Sequence, residues 1–427
     1  MEREIRPGGE KGIIKEIVAF ILQELKPKGP ILTPFNVITA PIMALGVGLI
    51  IWRFINGVGS IVHETHGFPW GIWIGFNIMA GVAFAGGAYV LTFVVYILRS
   101  EKYHPIIRAT VLNGFLAYLF YASVIIIDCV RWWNIANPLI GNKFGVNAVL
   151  FLIAWHFFLY MVTELIEFSP AIAEWLGLQR ARRILGGLTI GAVIFGITLS
   201  TLHQSGLGAL VMLAKHDIHP LWWTEYIPVL FFVSSIFAGL SMVIFEGTIS
   251  LRVFRHQMSE DFLRRYPGIV VGLGKTCAGV MIVYLFLKLL LLIHGRHWSL
   301  LNTPMGYWYL TEVVGLTLIP SVLFIKGVRS RSLALIRVAA LLTMAGIIIN
   351  RCNYVFIAYK WYVPLAERYI PTWKEVVIAF TVVLAHIWTF RWIVNRMPVY
   401  RESPEWVKEE EEETISKEVV QWRASRM

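Results

Sequence analysis

The chain has 427 residues, of which 57% are hydrophobic and 15% are charged, and its mean hydropathy is +0.65. A soluble domain carries about 25% charged residues, so this composition excludes an ordinary soluble protein. The apolar runs are continuous and do not alternate with polar residues, which argues against a membrane β-barrel. Most of them are long enough to cross a bilayer, which takes about 20 helical residues. The composition therefore predicts an all-α, polytopic membrane protein.

The net charge of +11 does not indicate nucleic-acid binding, because the basic residues lie in short loops between apolar runs. The three cysteines, Cys129, Cys277 and Cys352, lie in or at the ends of apolar runs and form no C-x-x-C pattern. They are too few for the four thiolates that an iron–sulfur cluster needs. No motif has the spacing of metal ligands. We therefore expect no metal centre in this chain.

Three segments follow one another along the chain. We expect an amphipathic segment on the cytoplasmic surface of the membrane at residues 1–33. A ten-helix membrane domain follows at residues 34–397, and a polar cytoplasmic tail at residues 398–427. The tail is either a solvated segment or a docking site for a cytoplasmic partner. The ten predicted spans lie at about 34–59, 69–98, 106–133, 146–168, 184–208, 226–253, 269–293, 307–326, 332–357 and 373–396. Glycines within spans favour close helix packing. We expect spans two to five and six to nine to form two four-helix bundles flanked by the first and tenth helices.

Basic residues follow the even-numbered spans, as at Arg180, Arg182 and Arg183 after the fourth. The positive-inside rule assigns these loops, and with ten spans both termini, to the cytoplasm. In this topology the odd-numbered spans run outward. The direction of each span gives every intramembrane polar residue a depth.

Polar and aromatic residues from distant spans converge on the outer level of the membrane. They are Asn77, Asp128, Arg131, Trp132, His203, Gln204, Ser205, His219, Trp222 and Arg351. Polar groups at membrane depth are costly and indicate a functional site. His203 can hydrogen-bond and change charge near neutral pH, which suits a partner for a quinone carbonyl. Asp128 could exchange protons with the same ring, and the side chains of Trp132 and Trp222 could pack against the ring.

A structural explanation stands beside each of these interpretations. Asp128 and Arg131 are three residues apart, so they could share a helix face and neutralise each other. A histidine near a helix end is often structural. Tryptophans are common in the interfacial aromatic belts of membrane proteins.

A second polar set lies on the inner half: Glu164, Glu167 and Glu246. These carboxylates either pair with nearby arginines or form a proton path from the cytoplasm. The second possibility supports an alternative function, a proton-translocating or transporter subunit without quinone chemistry of its own. A transporter usually has broken helices at the midplane, whereas these polar residues gather toward span ends, which favours a quinone site.

A b-type cytochrome is the third possibility, and it requires two facing histidines at similar depth. His156 and His386 are deep, on the fourth and tenth spans. No second matched pair is evident. We therefore expect no haem.

Several motifs together resemble the NrfD/polysulfide-reductase membrane-subunit family. They are Phe68-Pro-Trp-Gly-Ile-Trp, Tyr103-His-Pro-Ile-Ile-Arg, Glu167-Phe-Ser-Pro-Ala, Thr201-Leu-His-Gln-Ser, His219-Pro-Leu-Trp, Val243-Ile-Phe-Glu-Gly and Pro371-Thr-Trp-Lys-Glu. They extend from the second span to the tenth. The branch that the chain resembles contains the membrane subunit of quinone-reducing nickel–iron hydrogenases, the high-molecular-weight cytochrome complex of sulfate reducers and the Hdr-like menaquinol oxidoreductase.

This resemblance implies a haem-free ten-helix subunit in a prokaryotic cell membrane, with a menaquinone site toward the outer face. It implies an iron–sulfur ferredoxin-like subunit, a multihaem cytochrome c, or both, as partners on that face. Asp128 and His203 fall on motif positions. Many members of the family carry an acid where this chain has Asn77, which implies a different proton route here.

Overall fold

The computed structural model of the chain describes residues 19–20, 22–63, 67–140, 148–401 and 407. The predicted N-terminal amphipathic segment lies largely outside these residues, and so does the tail beyond residue 401. Within the described part, ten helices are long and apolar enough to cross a membrane. They are α1 Pro34–Asn56, α2 Trp73–Ile97, α3 Glu101–Asp128, α4 Val149–Leu176, α5 Gln179–Met212, α6 Ile227–Val253, α7 Glu260–His294, α8 Pro304–Arg329, α9 Leu333–Ile357 and α10 Trp373–Val394. The prediction of an all-α polytopic membrane protein is confirmed.

Capping side chains begin several of these helices. The Thr33 hydroxyl accepts the Asn36 backbone N–H at 3.2 Å, and Pro34 occupies the first turn of α1. Ser259 caps α7 in the same way, so this helix begins at Glu260 rather than at 269. Such caps satisfy backbone N–H groups that have no partner within the helix. Helix α7 therefore extends beyond the apolar run from which its span was predicted.

Four stretches of the spans are wound as π-helix: Trp73–Gly81, Phe93–Ile97, Thr311–Leu318 and Asn353–Ile357. A π-turn inserts an extra residue into the helical repeat and rotates the side chains that follow it. Asn77, Glu312 and Asn353 all lie within such stretches. The winding thus changes which neighbours these polar residues meet.

Each helix from α2 to α5 packs against the next in the chain, and α5 also contacts α2. The same pattern relates α6 to α9. Helix α6 packs against both α2 and α5, while α10 lies against α1, α2 and α3. The grouping into two four-helix bundles remains a prediction, to which these neighbours conform.

Helices α2 and α6 approach each other most closely at glycines. A Cβ added to Gly239 on α6 would overlap the backbone of Gly86 and Gly87 on α2. Small residues allow such backbone contact within a membrane, where van der Waals packing drives helix association. This contact joins the first half of the membrane domain to the second.

Replacing Gly239 with valine should force α2 and α6 apart and destabilise the protein by about 1–3 kcal/mol, the usual cost of overpacking. Thermal unfolding of the purified protein in detergent should show a lower Tm. Gly279→Val on α7 is the matched control, because an added Cβ there meets nothing within 4 Å. An unchanged Tm for Gly239→Val, or an equal fall in both variants, would contradict the close contact.

Candidate functional site

His203 is buried between helices α3, α4 and α5, with 1% of its surface exposed. Its Nδ1 lies 3.2 Å from the Tyr118 hydroxyl, and its ring packs against those of Tyr118 and Phe157 at centroid distances of 5.4 and 5.7 Å. The neighbouring Gln204 amide donates a hydrogen bond of 3.0 Å to the Val82 carbonyl on α2. Ser205 is half-buried. Span five therefore directs His203 toward a tyrosine of span three.

A line of unpartnered polar atoms continues inward from this pair along α4. Tyr160 packs edge-on against Tyr118, with ring centroids 4.7 Å apart. One turn further on, Glu164 is 1% exposed, and neither of its carboxylate oxygens has a hydrogen-bond partner in the described structure. Gly114 on α3 makes room for this carboxylate, because a Cβ there would collide with it. Glu167 follows on the same face of α4.

The predicted pairing of Asp128 with Arg131 on one helix face is wrong, because α3 ends at Asp128. Arg131 lies beyond the helix and is exposed, as is Trp132 at 42%. The cation beside Asp128 is Arg53 of α1, whose Nε donates to the Ile127 carbonyl at 2.5 Å. Its Nη2 also donates to the Cys129 carbonyl. Arg53 thus holds the outer end of α3, a role absent from the sequence-based prediction.

A cavity of about 520 Å³ lies among helices α1, α2, α3, α6, α9 and α10. Its walls are mainly apolar side chains, with polar groups at its two ends. At one end the Asn77 amide nitrogen donates a hydrogen bond of 3.2 Å to the Ala379 carbonyl of α10. Its Oδ1 has no hydrogen-bond partner in the described structure. Because only the NH₂ group can donate to a carbonyl, this bond fixes the amide with its oxygen as a free acceptor. Asn77 is 1% exposed.

The Tyr121 hydroxyl of α3 and His386 Nδ1 of α10, 3.2 Å apart, line the cavity with Asn77. The His386 ring lies nearly parallel to that of Phe120, with 6.3 Å between centroids. Tyr118 and Tyr121 are one turn apart on α3, so this helix carries two tyrosine–histidine pairs, one toward α5 and one toward α10.

Glu246 does not join Glu164 and Glu167, although the sequence grouped all three. Its Oε1 accepts a 2.7 Å hydrogen bond from the Tyr400 hydroxyl and another from Ser250. It borders the end of the cavity opposite to Asn77. The three carboxylates therefore belong to two separate places.

Trp222 and Arg351 belong to a buried network around Glu312. The Glu312 carboxylate accepts hydrogen bonds from Trp222 Nε1 at 2.8 Å, Asn350 Nδ2 at 2.7 Å and Asn353 Nδ2 at 2.5 Å. Lys288 Nζ lies 3.9 Å from it. These contacts join α7, α8 and α9 to the loop before α6.

Arg351 extends the Glu312 network toward α6. Its guanidinium donates hydrogen bonds to the Asn350 side-chain oxygen, at 2.7 Å, and to the Ser234 hydroxyl, at 2.6 Å. It also lies 3.6 Å from the centroid of the Phe231 ring. These contacts give Arg351 a structural role, while its Nε has no hydrogen-bond partner in the described structure.

His219 lies in the loop between α5 and α6. Its backbone N–H donates 2.9 Å to the Ala358 carbonyl, and its ring packs on those of Trp222 and Trp361. Burial, aided by the nearby charge of His297, lowers the pKa of His219 to about 4. Neutral Nδ1 can then accept the Leu221 N–H at 3.2 Å. His219, one of the predicted site residues, thus fastens this loop to the end of α9.

The structure brings together residues that the sequence did not single out. Tyr118, Tyr121, Lys288 and Glu312 are isolated polar positions in apolar spans and carry no motif. The only available signal was the free-energy cost of a charged side chain at membrane depth. Because this cost is reduced when opposite charges pair, it would have suggested that Lys288 and Glu312 lie together. His386 was considered only as a haem ligand.

The sequence pattern of the family described as "Polysulphide reductase, NrfD" matches residues 61–362. A protein of Nitratidesulfovibrio vulgaris (strain Hildenborough) is 37% identical over 385 residues, covering 90% of this chain and 99% of the relative. The probable Ni/Fe-hydrogenase 2 b-type cytochrome subunit of Escherichia coli (strain K12) is 29% identical, covering 87% and 93%. The menaquinone reductase integral membrane subunit of N. vulgaris is 26% identical, covering 72% and 78%.

The family match covers most of the membrane domain, and the first of these relatives aligns with nearly the whole chain. The ten apolar helices and the quoted motifs agree with that match. The chain belongs to the NrfD family of multi-pass membrane proteins.

Proposed function

We propose that the chain is the quinone-binding membrane subunit of a respiratory electron-transfer complex, with menaquinone or menaquinol as its substrate. The observation that carries this proposal is the cavity, with apolar walls and with Asn77, Tyr121 and His386 at one end. Small-molecule sites typically have volumes of about 300–1,000 Å³ and a few convergent polar groups. The relative named as a menaquinone reductase subunit favours menaquinone among quinones.

The polar end of the cavity suits the two oxygens of a quinone ring. These oxygens accept hydrogen bonds when the ring is oxidised and can donate them when it is reduced. Asn77 presents an acceptor, because its amide nitrogen is engaged by Ala379, and it therefore favours a hydroxyl of the reduced ring. Tyr121 and His386 can each donate or accept, so this pair suits the other oxygen in both states.

Oxidation of menaquinol releases two electrons and two protons, and Asp128 is suited to pass protons to the outer surface. It lies two turns beyond Tyr121 on α3, beside Arg53. His203 lies outside the cavity lining and hydrogen-bonds Tyr118, one turn from Tyr121 on α3, so its proposed part is a proton step through that hydroxyl. The electrons pass to or from a partner subunit on the outer face, either an iron–sulfur protein or a multihaem cytochrome c.

The inner half supports a proton route as well. Unpartnered buried atoms of Gln204, Tyr160 and Glu164 follow one another between α4 and α5. Buried polar atoms without protein partners are commonly bridged by water. This line favours the second candidate function, a proton-translocating subunit, in which Glu164 and Glu167 carry protons whether or not the chain binds quinone.

The orientation follows from charge. Loops after even-numbered helices carry the basic residues, so we propose that they and both termini face the cytoplasm of a prokaryotic cell. The Asn77 end of the cavity then lies toward the outer face.

A b-type haem does not fit the cavity, although one relative is named a b-type cytochrome subunit. Two axial histidines are required. Among the described residues that line the cavity there is a single histidine, His386, and its Nδ1 lies beside Tyr121. The proposal therefore assigns no step to haem.

Asn77→Leu and His386→Ala should each weaken menaquinone-analogue binding about tenfold, the effect of losing one hydrogen bond of about 1.4 kcal/mol. Quenching of tryptophan fluorescence in the purified protein measures the dissociation constant, Kd. His294→Ala is the control, because this histidine is exposed and pairs with Glu225. Unchanged affinity for the menaquinone analogue in both cavity variants would show that the quinone ring does not bind in this cavity.

His203→Ala and Asp128→Asn should abolish quinone-linked turnover without preventing assembly, because each interrupts a proposed proton step. Quinol oxidation by the complex purified from membranes is the measurement, and the presence of all subunits on a gel checks assembly. Unchanged quinol oxidation in both variants would show that His203 and Asp128 do not take part in quinone turnover.

Glu164→Gln separates the two candidate functions. If Glu164 carries protons inward, the variant should lose most proton uptake from the inner side of vesicles while the Kd for the quinone analogue stays constant. Glu225→Gln, at the exposed outer surface, is the control. Unchanged proton uptake in Glu164→Gln would contradict the inner route.

A further inference from the structure

The cavity is closed at its polar end and open at the other. Asn77, His386 and Tyr121 are 1%, 3% and 7% exposed. At the opposite end, Ile249 and Val253 of α6 are 47% and 44% exposed although they line the same cavity. Pro34 of α1 is exposed there too. We call these three residues, Pro34, Ile249 and Val253, the mouth.

The mouth and the closed end lie at different membrane depths. Helices α2 and α6 run in the same direction, since an even number of span crossings separates them. Asn77 is near the start of α2, whereas Val253 is the last residue of α6. Along α6 alone the lining extends from Met242 to Val253, about 16 Å at 1.5 Å per residue. The cavity thus leads from the level of Asn77 to the opposite half of a membrane about 30 Å thick.

The wall between the two ends suits a flexible hydrocarbon chain. It is formed by aromatic, aliphatic and methionine side chains, including Phe84, Phe245, Met242, Met344 and Ile348. Methionine adapts its shape to irregular apolar surfaces. The charged groups near the mouth are already engaged, Arg391 by the Asn36 side chain at 2.9 Å and Glu246 by Tyr400. The passage between them is apolar apart from Asn113 of α3.

We propose that the isoprenoid tail of the quinone lies along this cavity and leaves through the mouth into the inner half of the bilayer, an inference that rests on the proposed quinone site. The ring at Asn77 is then reached from the leaflet opposite to the face where the redox partner binds. The mouth residues distinguish quinones by their tails and do not touch the ring.

Ile249→Trp and Val253→Trp test the proposal by narrowing the mouth at two positions one turn apart on α6. In lipid nanodiscs, each should weaken binding of a long-tailed menaquinone about fivefold or more, the effect of steric overpacking. Binding of menadione, which has the same naphthoquinone ring without a tail, should stay unchanged. Ile282→Trp is the control, because Ile282 is 50% exposed on α7 and lies outside the cavity lining.

Three results would overturn the proposal. If both variants bind menaquinone and menadione equally less tightly, the mouth admits the ring and is not specific for the tail. If menaquinone affinity is unchanged in both variants, the tail lies elsewhere. A phospholipid that native mass spectrometry finds retained at saturating menaquinone, and lost in both variants, would assign the channel to a lipid acyl chain. If neither quinone binds the unmodified protein, the proposed quinone site itself fails, and this outcome differs from all three.

Discussion

Polar groups inside a membrane protein are shielded from bulk solvent, and their need for partners separates structural residues from candidates for function. The Glu312 carboxylate accepts three hydrogen bonds and lies 3.9 Å from Lys288, so its charge is stabilised within the protein. Glu164 is as deeply buried, yet its oxygens have no partner in the described structure. Since an unpaired buried carboxylate is expensive, a satisfied acid holds helices together and an unsatisfied one implies water or proton exchange. Asn77 lies between these cases, with its nitrogen engaged and its oxygen free.

Helix α3 is the element through which these groups are related. Tyr118 faces His203 on one side, and Tyr121 faces His386 on another. Gly114 accommodates the Glu164 carboxylate, and the outer end of the helix is held by Arg53. A single helix therefore contacts the proposed ring site, the inner proton route and the outer proton exit. Through this helix the proposed role of His203 is linked to a proposed ring site that His203 does not touch.

The cavity and the glycine contact depend on each other. Gly239 brings α6 against Gly86 and Gly87 of α2, and both helices contribute cavity walls further along their lengths. A helix pair that meets tightly at one level and diverges at another leaves space between its side chains. In water such an apolar space would be costly, but in a bilayer lipid-like chains can fill it. The shape of the cavity, rather than a hydrophobic driving force, then selects the occupant.

The sequence predicted the ten spans well, because long apolar runs reveal which segments avoid water. It also placed the polar residues His203, Gln204 and Asn77 at membrane depth as candidate site residues. It did not predict their grouping. Asp128 and Arg131 were expected on one face, but the helix ends between them. Glu246 was grouped with Glu164 by depth alone, yet the two meet different partners. Tyr121 and Glu312 carried no motif and His386 was considered only as a haem ligand, so the linear pattern did not group them as site residues.

By itself the sequence determined the fold class and the family, since composition, run length and motif spacing are properties of the linear chain. Only the tertiary structure decided which polar residues share a cavity, which are satisfied and where the cavity opens. These outcomes depend on the rotation of each helix about its axis, which the π-turns at Asn77, Glu312 and Asn353 change. They depend also on how closely neighbouring helices approach. Depth follows from counting residues along a span, but the direction in which a side chain points follows only from packing.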